Sequence, residues 1–327
     1  MKLQFLVSDQ TNPYLNIAVE GYLVEHAPAD TVTLYLWRNF RTVVIGQNQN
    51  PFSEVNLDVL RADGGYLVRR RTGGGAVYHD DGNINFSFIA HKSLYDQQRQ
   101  FEVLRRAVAT YGLVTEVSGR NDVLVRVPDA EAAGGSAMRK FSGNAFSHGH
   151  SNYLHHGTIL IRTCIDDLQR YLRPRPAKLR KHGVASVQSR VANLAELNPA
   201  ITSEGICMPL REAFELIYGQ QASVLDFRQL AAEPGVLALR DSFASEEWIY
   251  GHWGDFSMQR EGQYEWGGVE LDVRLEGNAI SDVQIASDAL DLAAIEEARR
   301  VLLGARADSR PVSANPVVAD IVKLAFS

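Results

Sequence analysis

The chain is poor in cysteine. Cys164 and Cys207 stand alone in 327 residues, with no Cys-x-x-Cys spacing. That excludes a disulfide framework and a cysteine-based zinc site, and it fits a reducing compartment. An excess of positive charge is missing too: 33 Lys+Arg face 39 Asp+Glu, a net charge of −6. A global field for nucleic acid or an anionic membrane surface is thereby excluded, so any basic cluster must be a local site. No apolar run approaches the ~18 residues of a spanning helix. The opening run Met1–Val7 is shorter than a secretory signal core and stops at Ser8-Asp9, so the expected location is cytoplasmic. Internal repeats and low-complexity tracts are also lacking.

What remains is ordinary globular composition, 45% hydrophobic and 22% charged, enough for a sizeable core without staples. The length favours a large domain and a small one. Asn12-Pro13 caps a helix whose inner face carries Leu15, Ala18, Val19, Tyr22 and Leu23. Residues 31–37 and 42–45 read as strands, and the amide-rich stretch 46–51 as a turn. A helix from Ser53 to Arg61 and a strand at 66–68 follow. Further strands are expected at 84–90, 113–117 and 123–127, with a helix bearing Phe101, Leu104, Val108 and Tyr111 that stops at Gly112. Helices are expected at 208–218 and near Gln229. A shift to polar residues, tryptophan and glycine around 242–256 marks the boundary. Beyond it come two strands, 270–275 and 280–285, turned at Glu276-Gly277-Asn278, then two helices at 292–303 and 316–326.

One stretch stands out: Arg69-Arg70-Arg71-Thr72-Gly73-Gly74-Gly75-Ala76-Val77-Tyr78-His79-Asp80. Glycine lets backbone approach a ligand closely, and successive N–H groups make an anion-binding concavity. Arginine adds a fixed charge in a planar fork that matches carboxylate or phosphate. The same residues also fit a glycine-rich hairpin with arginines on a solvated strand. A second dense motif, Arg139-Lys140-Phe141-Ser142-Gly143-Asn144-Ala145, places a lysine beside small residues on an expected strand. A lysine facing a glycine-lined pocket can bridge a carboxylate and a phosphate oxygen at once, which activation of an acid by ATP requires. The run 174–190 holds Arg175, Lys178, Arg180, Lys181, His182 and Arg190 in an acidic protein and reads as a long functional loop. His79, His155 and His156 lack the spacing of a zinc site. Asp80 and Asp122 are conceivable magnesium ligands, although turn aspartates are commonly caps. Cys164 could serve as a nucleophile only if its thiol were activated, and packing explains it better.

Taken in order, Arg70–Asp80, Ser118-Gly119-Arg120-Asn121-Asp122, Lys140–Ala145, His156-Gly157-Thr158, Ser186–Leu194 and Trp266–Leu271 resemble the lipoate–protein ligase A family over nearly the whole chain. The resemblance implies an α+β protein. A mixed β-sheet catalytic domain of the biotin/lipoate ligase class, flanked by helices, would span 1–245, and a small α+β accessory domain 246–327. It implies ATP-dependent activation of lipoate to lipoyl-AMP, with ATP and Mg2+ as substrate complex. The lipoyl group would then pass to a lysine of acceptor lipoyl domains, such as those of 2-oxoacid dehydrogenase acyltransferase subunits and the glycine-cleavage H protein. Lys140 and Arg70 match the catalytic positions. Arg70, Gly75, Ala76, Val77, Tyr78 and Lys140 match the ATP-binding ones, and Lys140, Gly74, Gly75, His79 and His156 the lipoate-binding ones. Lys178, Ser186, Val187 and Arg190 match a segment that orders over the adenylate. The metal ligands stay unassigned, with Asp122 the candidate. Arg71 departs from the pattern, where a small polar residue is expected. The expected partners are lipoyl-domain proteins, with no nucleic acid, no membrane and a monomeric chain. The competing readings are an ATP-independent octanoyl/lipoyl transferase, which needs a nucleophilic cysteine, a biotin ligase, and a non-catalytic carrier.

Overall fold

The computed structural model describes residues 1–119, 121–128, 136–173, 191–250, 258–276, 279–306 and 310–326. Strands β1 (Lys2–Val7) and β2 (Thr31–Trp37) begin a large mixed sheet. Three short strands, β3 (Thr42–Ile45), β4 (Tyr66–Arg69) and β5 (Val77–His79), make a separate small sheet. The large sheet is completed by β6 (Asn83–His91), β7 (Thr115–Ser118), β8 (Asp122–Pro128), β9 (Ser136–His148), β10 (Asn152–Leu160) and β11 (Ala222–Val224). Its order is β11-β1-β2-β6-β10-β9-β8-β7. β1 runs parallel to β2 and β11, while β2, β6, β10, β9 and β8 are successively antiparallel.

Helices cover both faces. The helix Gln97–Ala109 packs on Cys207–Tyr218, and their Phe101, Leu104 and Phe214 meet Phe86, Phe88 and Phe141 of the sheet. On the opposite face the helix Pro13–His26 lies against Pro234–Ala244, burying Ile17 and Val19 with Tyr35, Trp37 and Phe243. The cap is as expected, Asn12 accepting from the N–H groups of Tyr14 and Leu15. A strand sandwiched this way must be apolar on both sides. β6 is buried along eight of its nine residues, yet it carries Asn83, Asn85 and Ser87 inside. Those polar residues need partners or a ligand.

Several boundaries differ from the reading of the sequence. The helix expected from Ser53 is two short ones, Pro51–Glu54 and Leu57–Ala62, parted where Val55 turns extended. Pro234–Ala244 was not foreseen. Glu246–Tyr250, just past the expected boundary at 245, packs Trp248 and Ile249 into the large domain. The basic loop with Lys178, Ser186, Val187 and Arg190 lies outside the described residues, as do Arg120 and the tip of the turn after Glu276.

The small domain is a sheet of β12 (Met258–Tyr264), β13 (Gly267–Glu276) and β14 (Ala279–Ser287) under helices Leu292–Leu302 and Pro316–Ala325. Leu271, Val273, Ile285, Ile295, Leu302 and Ile321 form its core. It touches the large domain at the triple glycine. Gly74 N–H donates to the Ala289 carbonyl at 3.1 Å, and Ser287 N–H to that of Asn48 at 2.8 Å. A Cβ at Gly73 would stand 2.2 Å from the Ala289 oxygen, so that contact requires glycine.

Candidate active site

Sheet register assembles the site. Trp37 pairs with Asn85, and Asn85 with Thr158, while Tyr35, Ser87, His156 and Ala145 form the next row. Each row places its side chains on one face, because strand side chains alternate. Above this face the small sheet brings His79 and the glycine loop. Between the two lies a cavity of about 160 Å³. Arg70, Gly74, Gly75, Ala76 and Val77 line one side, and Lys140, His79 and His156 line it as well. Eight residues singled out in the sequence thus converge on one space.

Lys140 owes its place to a bulge. The β8–β9 register slips between Val123, opposite Ser142, and Leu124, opposite Lys140. Phe141 has no opposite number, and the bulge re-aims the chain around it. The lysine folds over Gly143: a Cβ there would meet its Cε and Nζ at 2.9 Å. Nζ reaches Asp122 Oδ1 at 2.7 Å, with both side chains about one-third exposed. A partly exposed pair of this kind is weakly held, so an incoming anion can take the ammonium from it. The Lys140 carbonyl accepts from Ala192 N–H at 2.9 Å, which ties residue 192 to the same strand.

The arginines divide their work. Arg69 donates to the carbonyls of Gln47, Gln49, Trp248 and Ile249, a wholly structural role. Arg70 donates Nη2 to the Gly73 and Gly75 carbonyls at 2.7 and 2.9 Å, and Nε to Thr72 Oγ1 at 2.9 Å. It therefore shapes the glycine loop. Burial lowers its pKa to about 10, so it remains a cation at neutral pH. Gly74 sits at φ +93, open to glycine, and a Cβ there would lie 3.0 Å from Arg70 Nη2. Arg71 points away, paired with Glu25 on the surface and stacked over Phe243. Tyr78, expected at the nucleotide, does not line this cavity; it faces away, its hydroxyl directed at Asp167.

The histidines separate by strand parity. His156 Nε2 lies 2.8 Å from Thr72 Oγ1, and its Nδ1 2.8 Å from Glu20 Oε1. Glu20 also accepts from Ser87, which in turn accepts from Trp37 Nε1 at 3.0 Å. One buried chain of hydrogen bonds therefore runs from Trp37 to Arg70. His155 faces the other side, among Phe86, Phe101 and Phe146, and holds Asn144 Oδ1 at 2.9 Å. Among the described residues no three His, Cys, Asp or Glu side chains cluster to hold a metal. Neither cysteine lines the cavity. Cys164 is exposed at a helix start, and burial raises the Cys207 thiol to about 11. Glu20, Trp37 and Asn85 were not singled out in the sequence. A carboxylate and an amide inside apolar elements are the signal that could have marked them.

A family model described as lipoyl protein ligase A/B catalytic domain matches residues 12–215, and one described as bacterial lipoate protein ligase C-terminus matches 254–315. The chain is 37% identical over 321 residues to the lipoate-protein ligase A of Psychrobacter cryohalolentis, covering 96% of this chain and 91% of the relative. The P. falciparum protein LipL1, solved in complex with lipoate, superposes with a TM-score of 0.83 at 27% identity, covering 99% of each chain. A lipoate-protein ligase A solved with ATP superposes with a TM-score of 0.62 at 25% identity, over 77% of this chain and 99% of the other.

Proposed function

The chain belongs to the lipoate–protein ligase A family, whose members activate lipoate and transfer it to protein, and we propose that the cavity under the glycine loop holds both activated partners. Lipoate enters with its carboxylate at Lys140 and its tail along the row toward Asn85 and Trp37. The triphosphate of MgATP lies on the loop 73–77. Mg2+ comes with the nucleotide, since among the described residues Asp122 is the carboxylate paired with Lys140, and magnesium is commonly held by one or two carboxylates plus substrate phosphates.

In the first step a lipoate oxygen attacks the α-phosphorus. A C(O)O–P bond forms, the α–β P–O bond breaks, and pyrophosphate leaves. Lys140 leaves Asp122 and spans the carboxylate and the α-phosphate, offsetting repulsion between two anions and the charge that grows in the transition state. Arg70 acts as a positioning residue through the carbonyls of Gly73 and Gly75 and as a fixed cation behind the loop. In the second step the neutral amine of an acceptor lysine attacks the acyl carbon, loses a proton, and AMP departs. The mixed anhydride is already reactive, so this step mainly needs alignment and exclusion of water. Lys178, Ser186, Val187 and Arg190, which lie outside the described residues, are the further residues proposed to act on the adenylate.

The observation that carries the reading is an ammonium held by one carboxylate in the cavity beside the glycine loop. Both cysteines lie away from that cavity, which speaks against the ATP-independent transferase. None of the helices among the described residues is long and apolar enough to cross a membrane. The working form is a cytoplasmic monomer acting on lipoyl domains, its domain boundary after Tyr250. The test is lipoate-dependent exchange of pyrophosphate into ATP. Lys140→Ala is expected to abolish it while the fold persists, and exchange at the wild-type rate in that variant would sink the assignment.

A further inference from the structure

Two polar atoms in the wall of this cavity have no partner among the described residues: His79 Nε2 and Asn85 Nδ2. Their residues are 3% and 1% exposed. Buried polar groups are nearly always satisfied, so an unmet pair on one cavity points to a ligand atom or an ordered water.

The chemistry of the His79 nitrogen is set from behind. Asn16 Nδ2 donates to the Arg38 carbonyl at 2.7 Å and to Asn39 Oδ1 at 3.1 Å. With its oxygen engaged, Asn39 turns its Nδ2 toward His79 Nδ1, 3.2 Å away. Nδ1 is therefore the accepting nitrogen, and a neutral ring carries its proton on Nε2. The ring is neutral, because burial, then Arg70 and His156, lower its pKa to about 3. Asn85 Oδ1 accepts from Asn83 Nδ2 at 2.8 Å, and the amide pair is left with two open atoms, Asn85 Nδ2 on the cavity and Asn83 Oδ1 beside it. Both unmet atoms are donors.

Their place matters as much. Asn85 stands in the row between Trp37 and Thr158, and Thr158 Oγ1 accepts from Gly143 N–H at 3.3 Å. His79 stands edge-on to Trp37, with ring centroids 6.0 Å apart. In the pose proposed above, an acid anchored at Lys140 lays its far end between these donors. A hydrocarbon end would strip them of water and give nothing back. Lipoate ends in a 1,2-dithiolane, and divalent sulfur is a weak acceptor. We propose that His79 and Asn85 form a donor pair that reads the dithiolane sulfurs and so favours lipoate over octanoate. This specificity rests on the reading of the cavity as the acid's pocket.

The test compares lipoate with 5-cyclopentylpentanoate, a ring of similar shape without sulfur, by calorimetry on the full chain. Wild type is expected to bind lipoate about five- to tenfold more tightly, modest because the acceptor is weak. In His79→Leu that ratio is expected to shrink below about twofold, and His79→Gln, which keeps an N–H, to restore part of it. The ratio of kcat/KM for lipoate and octanoate in pyrophosphate exchange is expected to move in parallel. Equal wild-type affinities for the two ring acids overturn the proposal whatever the variants do. So does an equal loss for both acids in His79→Leu, which would make His79 scaffolding. Binding of neither acid by wild type would instead bring down the reading of the cavity itself.

Discussion

Gly143 gives the sharpest test of how Lys140 is placed. A methyl at that position would sit 2.9 Å from Lys140 Cε and Nζ, where ordinary contact begins at 3.4 Å. The lysine must therefore retreat by about half an ångström or swing to another rotamer, lengthening its 2.7 Å contact with Asp122. The backbone at Gly143 is outside the left-handed region and suits alanine. The obstructing atoms end a flexible chain, so the stability cost should stay under about 1 kcal/mol. Catalysis is less tolerant. A misplacement of ~1 Å can lose ~100-fold, so half of that should cost ~10-fold in adenylate formation, about 1.4 kcal/mol of barrier. Rapid-quench measurement of acyl-adenylate at saturating acid and MgATP, alongside calorimetric Tm, separates the two effects. Gly157→Ala is the contrast. Its Cβ would meet the Gly143 carbonyl oxygen at 2.5 Å and Phe86 Cζ at 2.8 Å, so about 1–3 kcal/mol of stability should go. Wild-type adenylation in Gly143→Ala would refute the claim that the glycine exists to seat the lysine.

Glu20→Ala should destabilise the fold by about 3 kcal/mol in urea, since His156 and Ser87 both lose their buried acceptor; a loss under about 1 kcal/mol would mean the chain from Trp37 to Arg70 is not held through Glu20. For pH, the sign follows from His79, whose pKa falls from 6.5 unfolded to about 3 folded. The folded ring stays neutral where the unfolded one takes a proton, so its contribution is complete above pH 6.5 and is lost as pH falls toward 3. The slope should approach ~1.4 kcal/mol per unit for this residue. Urea titrations at pH 7 and 5 should show a shallower dependence in His79→Leu, and an unchanged slope would refute the assignment.

Much of the site was legible because its signals are local. Three glycines after three arginines, and a lysine beside Ser-Gly, advertise anion handling without reference to the fold. What was not legible depends on pairing between distant strands. Trp37 and Asn85 meet only through the β2–β6 register, and single-sequence periodicity carries no register. The arginines illustrate the same limit. Arg69, Arg70 and Arg71 are chemically identical, yet one holds carbonyls, one shapes the loop and one lies on the surface. Alternation along β4 and the turn after it separates them. Strand β12 escaped notice because its alternating burial is carried by Met258, Arg260, Gly262 and Tyr264 rather than by β-branched residues.

The hydrogen bond from Gly74 to Ala289 has a further consequence. An amide hydrogen serves one good acceptor at a time. In the described arrangement the amide nearest the apex of the glycine loop is committed to the small domain. A phosphate oxygen seeking that N–H and the Ala289 carbonyl are therefore rivals for a single proton. Thermodynamic reciprocity follows. Whatever affinity nucleotide gains from Gly74, the docking of residues 287–290 loses, and a small domain held firmly in place would raise the Kd for nucleotide by the same factor. The triple glycine is in this sense a junction between two equilibria, and its lack of side chains lets either claimant approach the same backbone.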